Sequence, residues 1–207
     1  MSDAEIDRRI DFIERRLDAS KLHARIWYWS WMTVNVGGVV GLSVGSALTD
    51  DGDMRASYIP QAALAALGVA DLTVLPPLEV RLGAGPIRGL PEATRAQRLE
   101  KLERAEAVLR GNAERAESRR SWMLHIANFG LNPAAGAATY FTGRTSDALI
   151  SFGSGWAGGE LYIWTEPGAP ARDWREYQRL KTHGSASTGL RLSLVPGFGR
   201  VAIKLAW

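Results

Sequence analysis

Two acids stand in stretches otherwise free of charge: Asp71 in Ser57–Val74 and Glu160 in Ala148–Trp164. Carried into an apolar interior, such carboxyls have their pKa raised by desolvation and can accept a proton or a cation. The pair is therefore the first candidate for a proton or cation path. The ordinary alternative is a helix end, facing water or an arginine. Asn35 and Asn128 hold comparable places upstream of the two acids, where an amide can hydrogen-bond between helices or cap a local turn.

Two short motifs bear on other chemistry. Gly41-Leu42-Ser43-Val44-Gly45 matches GxSxG, which exposes a nucleophilic serine only on a sharp strand-to-helix turn. His125 or His183, with Asp147 or Glu160, would complete a triad, but Thr49-Asp50-Asp51-Gly52 follows too soon for the helix this turn requires. Gly153 to Gly158 spells GxGxxG, which cradles phosphate only between a strand and a helix. Trp156 sits where a phosphate would need close backbone approach, so tight packing is the better account. The chain has no cysteine, and His23, His125 and His183 lack metal-ligand spacing, so neither a metal nor a cofactor is expected. Thr49 to Asp53 lacks the distal glutamate of an EF-hand and reads as a turn.

The elements that must position these residues follow from periodicity. Asp3–Arg25 is predicted helical, with apolar positions Ile6, Ile10, Phe12, Ile13, Leu17 and Leu22, most of them at three- or four-residue spacing. Ile26–Thr49 carries no charge. Trp27, Trp29 and Trp31 alternate, which suits a strand, whereas Gly37, Gly41 and Gly45 form a small-residue stripe that lets helices pack closely. Helix is the preferred reading. Ser57–Val74 returns as a helix with Pro60 in its first turn, and Pro76-Pro77 stops it. Pro91–Arg120 is the clearest helix, with Gly111-Asn112 as a point of bending. Trp31-Met32 corresponds to Trp122-Met123, Asn35-Val36-Gly37 to Asn128-Phe129-Gly130, and Ala70–Val74 to Gly159–Ile163, which implies a diverged repeat. A short helix over Ala171–Lys181 and a hairpin of Leu190–Val195 with Val201–Trp207, turning at Pro196-Gly197-Phe198-Gly199, close the chain.

The expected fold is mainly α: two diverged helix-plus-helical-hairpin units with a small C-terminal β-hairpin, and room for four membrane-spanning segments. The units divide as 1–77, 78–167 and 168–207. The composition, 46% hydrophobic and 23% charged, can build a core. Loop charges, neutral segments and aromatics at segment ends (Trp27, Trp29, Trp31, Trp122, Trp164) favour a location in a membrane or cell envelope. The central segments are short for spans and carry polar groups. The leading functional expectation is a membrane or envelope scaffold that assembles through glycine-rich helices, with membrane lipid, protein partners or its own copies as contacts. A small transporter using Asp71 and Glu160 is one alternative, and a soluble, cytoplasmic helical protein-interaction domain is another. Acids are interspersed with the basic residues, no nucleic-acid module is recognisable, and no small-molecule ligand is identified.

Overall fold

The computed structural model describes residues 1–77, 82–142, 144–184, 191–197 and 200–206. Its longest element is α1, Asp3–Leu48, a single helix of 46 residues. The Ser2 hydroxyl caps it by accepting from the Glu5 amide at 3.2 Å. The three-and-four spacing of its buried residues does not stop at Arg25. Ile6, Ile10, Ile13 and Leu17 are followed by Ser20, Ala24 and Trp27 on the same stripe, which is why the helix continues through the tryptophans. Trp27 is buried and Trp29 exposed, as a two-residue step around a helix requires.

α2 runs Gly52–Val74. It starts five residues before the expected Ser57, because the Asp51 carboxylate accepts from the Asp53 and Met54 amides at 3.0 and 3.1 Å and nucleates the first turn there. Pro60 consequently lies inside the helix. A four-residue turn, α3 (Gly85–Arg88), precedes α4 (Arg95–Arg119), which opens on a capping box between Thr94 and Gln97. α4 runs through Gly111-Asn112 with Asn112 turned inward. α5 (Trp122–Thr142), α6 (Thr145–Thr165) and α7 (Ala169–Gly184) complete the helical body.

At one end, the N-terminal half of α1 packs with α3, α4 and α7 around Ile6, Ile10, Ile13, Leu17, Leu102, Leu109 and Tyr177. Each such side chain contributes about 1.5–3 kcal/mol when fully buried. The other buried cluster holds only Trp27, Tyr28 and Leu72, so most of the hydrophobic stabilisation sits at the first end. Its charged rim is largely paired. Arg16 meets Glu176 at 2.5 Å, Arg88 meets Asp18 at 2.5 Å, and Lys101 meets Glu92 at 2.5 Å and Glu14 at 3.2 Å.

At the other end, the C-terminal half of α1 pairs with α2, and α5 pairs with α6. Small residues set these contacts. Gly38 faces Ala65 and Gly45 faces Tyr58. Asn35 lies on Gly68, Asn128 on Gly159 and Asn132 on Gly155, each so close that an added methyl group would overlap the amide. Across the hairpins, the Ser57 hydroxyl donates to Asp147 at 3.1 Å, and Arg144 meets Asp51 at 2.5 Å.

The structure corrects the expected fold class in two respects. The packed body is all-helical: among the described residues, β1 (Arg191–Gly197) and β2 (Arg200–Ala206) pair antiparallel with each other and with no other strand. The remaining parts of the expected hairpin, Leu190, Phe198, Gly199 and Trp207, lie outside the described residues. Four spans are also not found. Among the described residues, one helix, α1, is long and apolar enough to cross a membrane. α2, α5 and α6 fall short because glycines and polar groups such as Asp71, His125, Asn128, Asn132 and Glu160 dilute their apolar content. The membrane or envelope scaffold, and the location that went with it, rested on four spans and are corrected with them.

Candidate functional site

Where the two ends meet, side chains from three helices converge with that of Glu166, the residue that follows α6. Arg119, at the last turn of α4, donates from both terminal nitrogens to the Asp71 carboxylate of α2 at 2.6 Å each. Its Nε donates to Glu166 at 3.0 and 3.3 Å. Tyr162 of α6 closes the set: its hydroxyl accepts from Arg119 at 2.8 Å and donates to Asp71 at 2.6 Å. The ring of Tyr162 packs between Trp27 and Trp31 at 4.9 and 5.1 Å, and both indoles donate to the Thr165 hydroxyl.

One guanidinium thus serves two carboxylates, and it serves them unequally. Burial pushes the Asp71 carboxyl up, but the Arg119 fork and the Tyr162 hydroxyl together outweigh it and hold the pKa below the usual value. Glu166, 5% exposed, receives only the Nε side of the same arginine. There burial wins and its pKa is raised. Burial works against the Arg119 charge, yet the acids around it raise its pKa above the ordinary value. Burial also raises that of the Tyr162 phenol.

Beyond this cluster a cavity of 380 Å³ opens between the hairpins, within the size range of small-molecule sites. Asp71, Arg119, Trp31 and Tyr162 form its polar end. Leu64, Leu67, Leu131 and Ile163 supply apolar wall, and of the glycines on the lining Gly155 and Gly159 lie beneath the Asn132 and Asn128 amides while Gly158 borders open space. Asn35, Asn128 and Asn132 are on its lining, but their amide nitrogens are already engaged: Asn35 with the Trp31 carbonyl, Asn128 with Trp156 and Glu160, and Asn132 with Asn128.

The structure brings Asp71, Asn35 and Asn128 to one cavity but gives Glu160 other company. Glu160 accepts from Asn128 at 3.0 Å and meets His125 Nδ1 at 2.8 Å, and these contacts, the Asn128 bond first, lower its pKa. Asp71 and Glu160 have different hydrogen-bond partners, Arg119 and Tyr162 for the first and Asn128 and His125 for the second. A Cβ added at Gly37 or Gly41 would meet nothing within 4 Å, whereas one at Gly45 would meet the Tyr58 ring. Of the five aromatics placed at segment ends, Trp27 is buried in the joint and Trp31 borders the cavity, whereas Trp29, Trp122 and Trp164 are more than half exposed. Ser43 lies inside α1 and the Gly153–Gly158 motif inside α6, so neither forms the turn its chemistry needs. The side chain of His183 lies outside what is described.

Arg119, Tyr162, Glu166 and Asn132 were missed in the sequence. Arg119 is one of several arginines ending a charged helix, and Glu166 reads as a loop acid before Pro167. Asn132, four residues after Asn128, carried the one available signal: the same helix face repeated. Among the described residues, no group of three or more His, Asp or Glu could hold a metal ion. In comparisons with family models, curated proteins and solved structures, the chain matches none.

Proposed function

We propose that this chain is a self-associating helical interaction domain, in which the three-helix end forms a finished core and the two hairpins offer an apolar face covered by a second copy. The observation that carries the reading is the exposure of large apolar side chains on α5 and α6. Trp122, Met123, Ile126 and Phe129 lie at helical spacing on α5, and Leu161 and Trp164 on α6; all six are more than half exposed. His125 stacks near Trp164, with ring centroids 5.5 Å apart, so the two sets adjoin. An apolar face of this extent on a folded chain is characteristic of a contact surface.

The reading takes the two hairpins as diverged copies of one unit, and the seating of an asparagine on a glycine in both supports it.

Sedimentation equilibrium of the full chain tests the proposal. A dimer or larger assembly at micromolar concentration is expected, and Ile126→Glu with Phe129→Glu should shift it to monomer while keeping its helical signal. A wild-type chain that stays monomeric at tens of micromolar would sink the reading.

A further inference from the structure

The interhelical cavity goes beyond this reading, because nothing in self-association requires a space at the joint. Its geometry points to a binding site for one small neutral amphiphile: a linear aliphatic chain with a hydroxyl head, seated head-first against Asp71.

Three observations select that class. The first is length. The lining on α5 runs from Leu124 to Asn132, eight residues or about 12 Å of helix, which accommodates the extended chain of a medium-length alcohol, about 10 Å. The second is the character of the wall. Leu64, Leu67, Leu131 and Ile163 are apolar, and the glycines of α6 expose backbone that is already bonded within the helix. The third is the charge at the closed end. Asp71 and Glu166 face Arg119, and Arg115 acts on both acids. Two acids and two arginines leave no unmatched charge for an ionised head. Asp71 nevertheless has acceptor capacity left. Its Oδ2 takes bonds from Arg119 and Tyr162, whereas its Oδ1 takes one, from Arg119. A carboxylate oxygen has two lone pairs, so Oδ1 can accept a ligand hydroxyl.

Gly158 provides a clean obstruction. It lines the cavity, and a Cβ built there meets nothing within 4 Å, so a side chain can start there without overlapping a neighbour and take up cavity space. Gly153 also has open space around its Cβ but is not on the cavity lining, and it serves as the control on the same helix.

Titration calorimetry of the full chain with 1-octanol, against octanoate and against both variants, is the test. Saturable binding of one octanol per chain is expected, at least tenfold tighter than octanoate. Gly158→Leu should weaken it at least tenfold and Gly153→Leu should leave it unchanged. Ala127→Leu, which fills the same space from α5, should reproduce the loss and guards against misfolding of the first variant. No saturable octanol binding by the wild type, or equal binding by Gly158→Leu and Ala127→Leu, overturns the site. Octanoate binding as tightly as octanol overturns the neutral head. Since binding is counted per chain, these outcomes are separate from the oligomeric state.

Discussion

At the scale of residues, the unequal division of Arg119 between two acids has a consequence for pH. The folded pKa of Glu166 lies above its ordinary 4.5. Between 4.5 and that raised value, the folded chain holds a proton that the unfolded chain has released. The associated stability is fully present below 4.5 and is lost as pH rises through the folded value. Asp71 has the opposite sign: its contribution is present above 3.8 and is lost as pH falls toward its lowered folded value. Glu166→Gln should therefore remove a decline in stability above pH 4.5, with a slope approaching about 1.4 kcal/mol per pH unit inside the window, while leaving the acid-side loss from Asp71 intact. Urea unfolding of both proteins from pH 3 to 8 checks this, and parallel curves would show that Glu166 does not titrate as assigned.

At the scale of elements, the glycines of the hairpins fall into two kinds that sequence spacing cannot separate. Gly68 and Gly159 sit beneath asparagine amides, so Gly68→Ala or Gly159→Ala should destabilise by about 1–3 kcal/mol through overpacking. Gly37 and Gly41 meet nothing, and alanine there should stabilise by roughly 0.5–1 kcal/mol through helix propensity. Thermal unfolding of the four variants measures both signs together. Equal effects at all four positions would refute the assigned contacts. Helix existence was legible because Ile6, Ile10, Ile13 and Leu17 repeat at helical spacing, and the Asp51 turn was legible from its composition. The joint was not. Nothing local marks Arg119, and its role exists only because residues 48 positions before it and 43 and 47 after it are folded onto it. The alternation of Trp27, Trp29 and Trp31 pointed toward a strand because the spacing is two, yet α1 turns Trp27 and Trp31, four residues apart, onto Tyr162 and leaves Trp29 exposed.

At the scale of the whole molecule, the three-helix end and the hairpin end share α1 and are joined again by the Arg119 cluster. Arg119→Met keeps the aliphatic volume but leaves Glu166 and Asp71 without their common partner, and should cost about 3–5 kcal/mol, as losing one side of a buried ion pair does. Chemical denaturation checks the figure. A loss below about 1 kcal/mol would mean that water substitutes for the arginine at the joint.

The helix shared by both ends also dictates an order of events during synthesis. Ile6, Ile10, Ile13 and Leu17 are made well before Tyr177 of α7, which completes their core. At about 5–20 residues per second, the ribosome takes on the order of ten to thirty seconds to cover that distance. Through that interval the leading half of α1 carries an unfinished apolar stripe, while the α1–α2 hairpin beside it already has both of its helices. The leading half of α1 therefore waits through the synthesis of α2 to α6 for the side chain that closes its core.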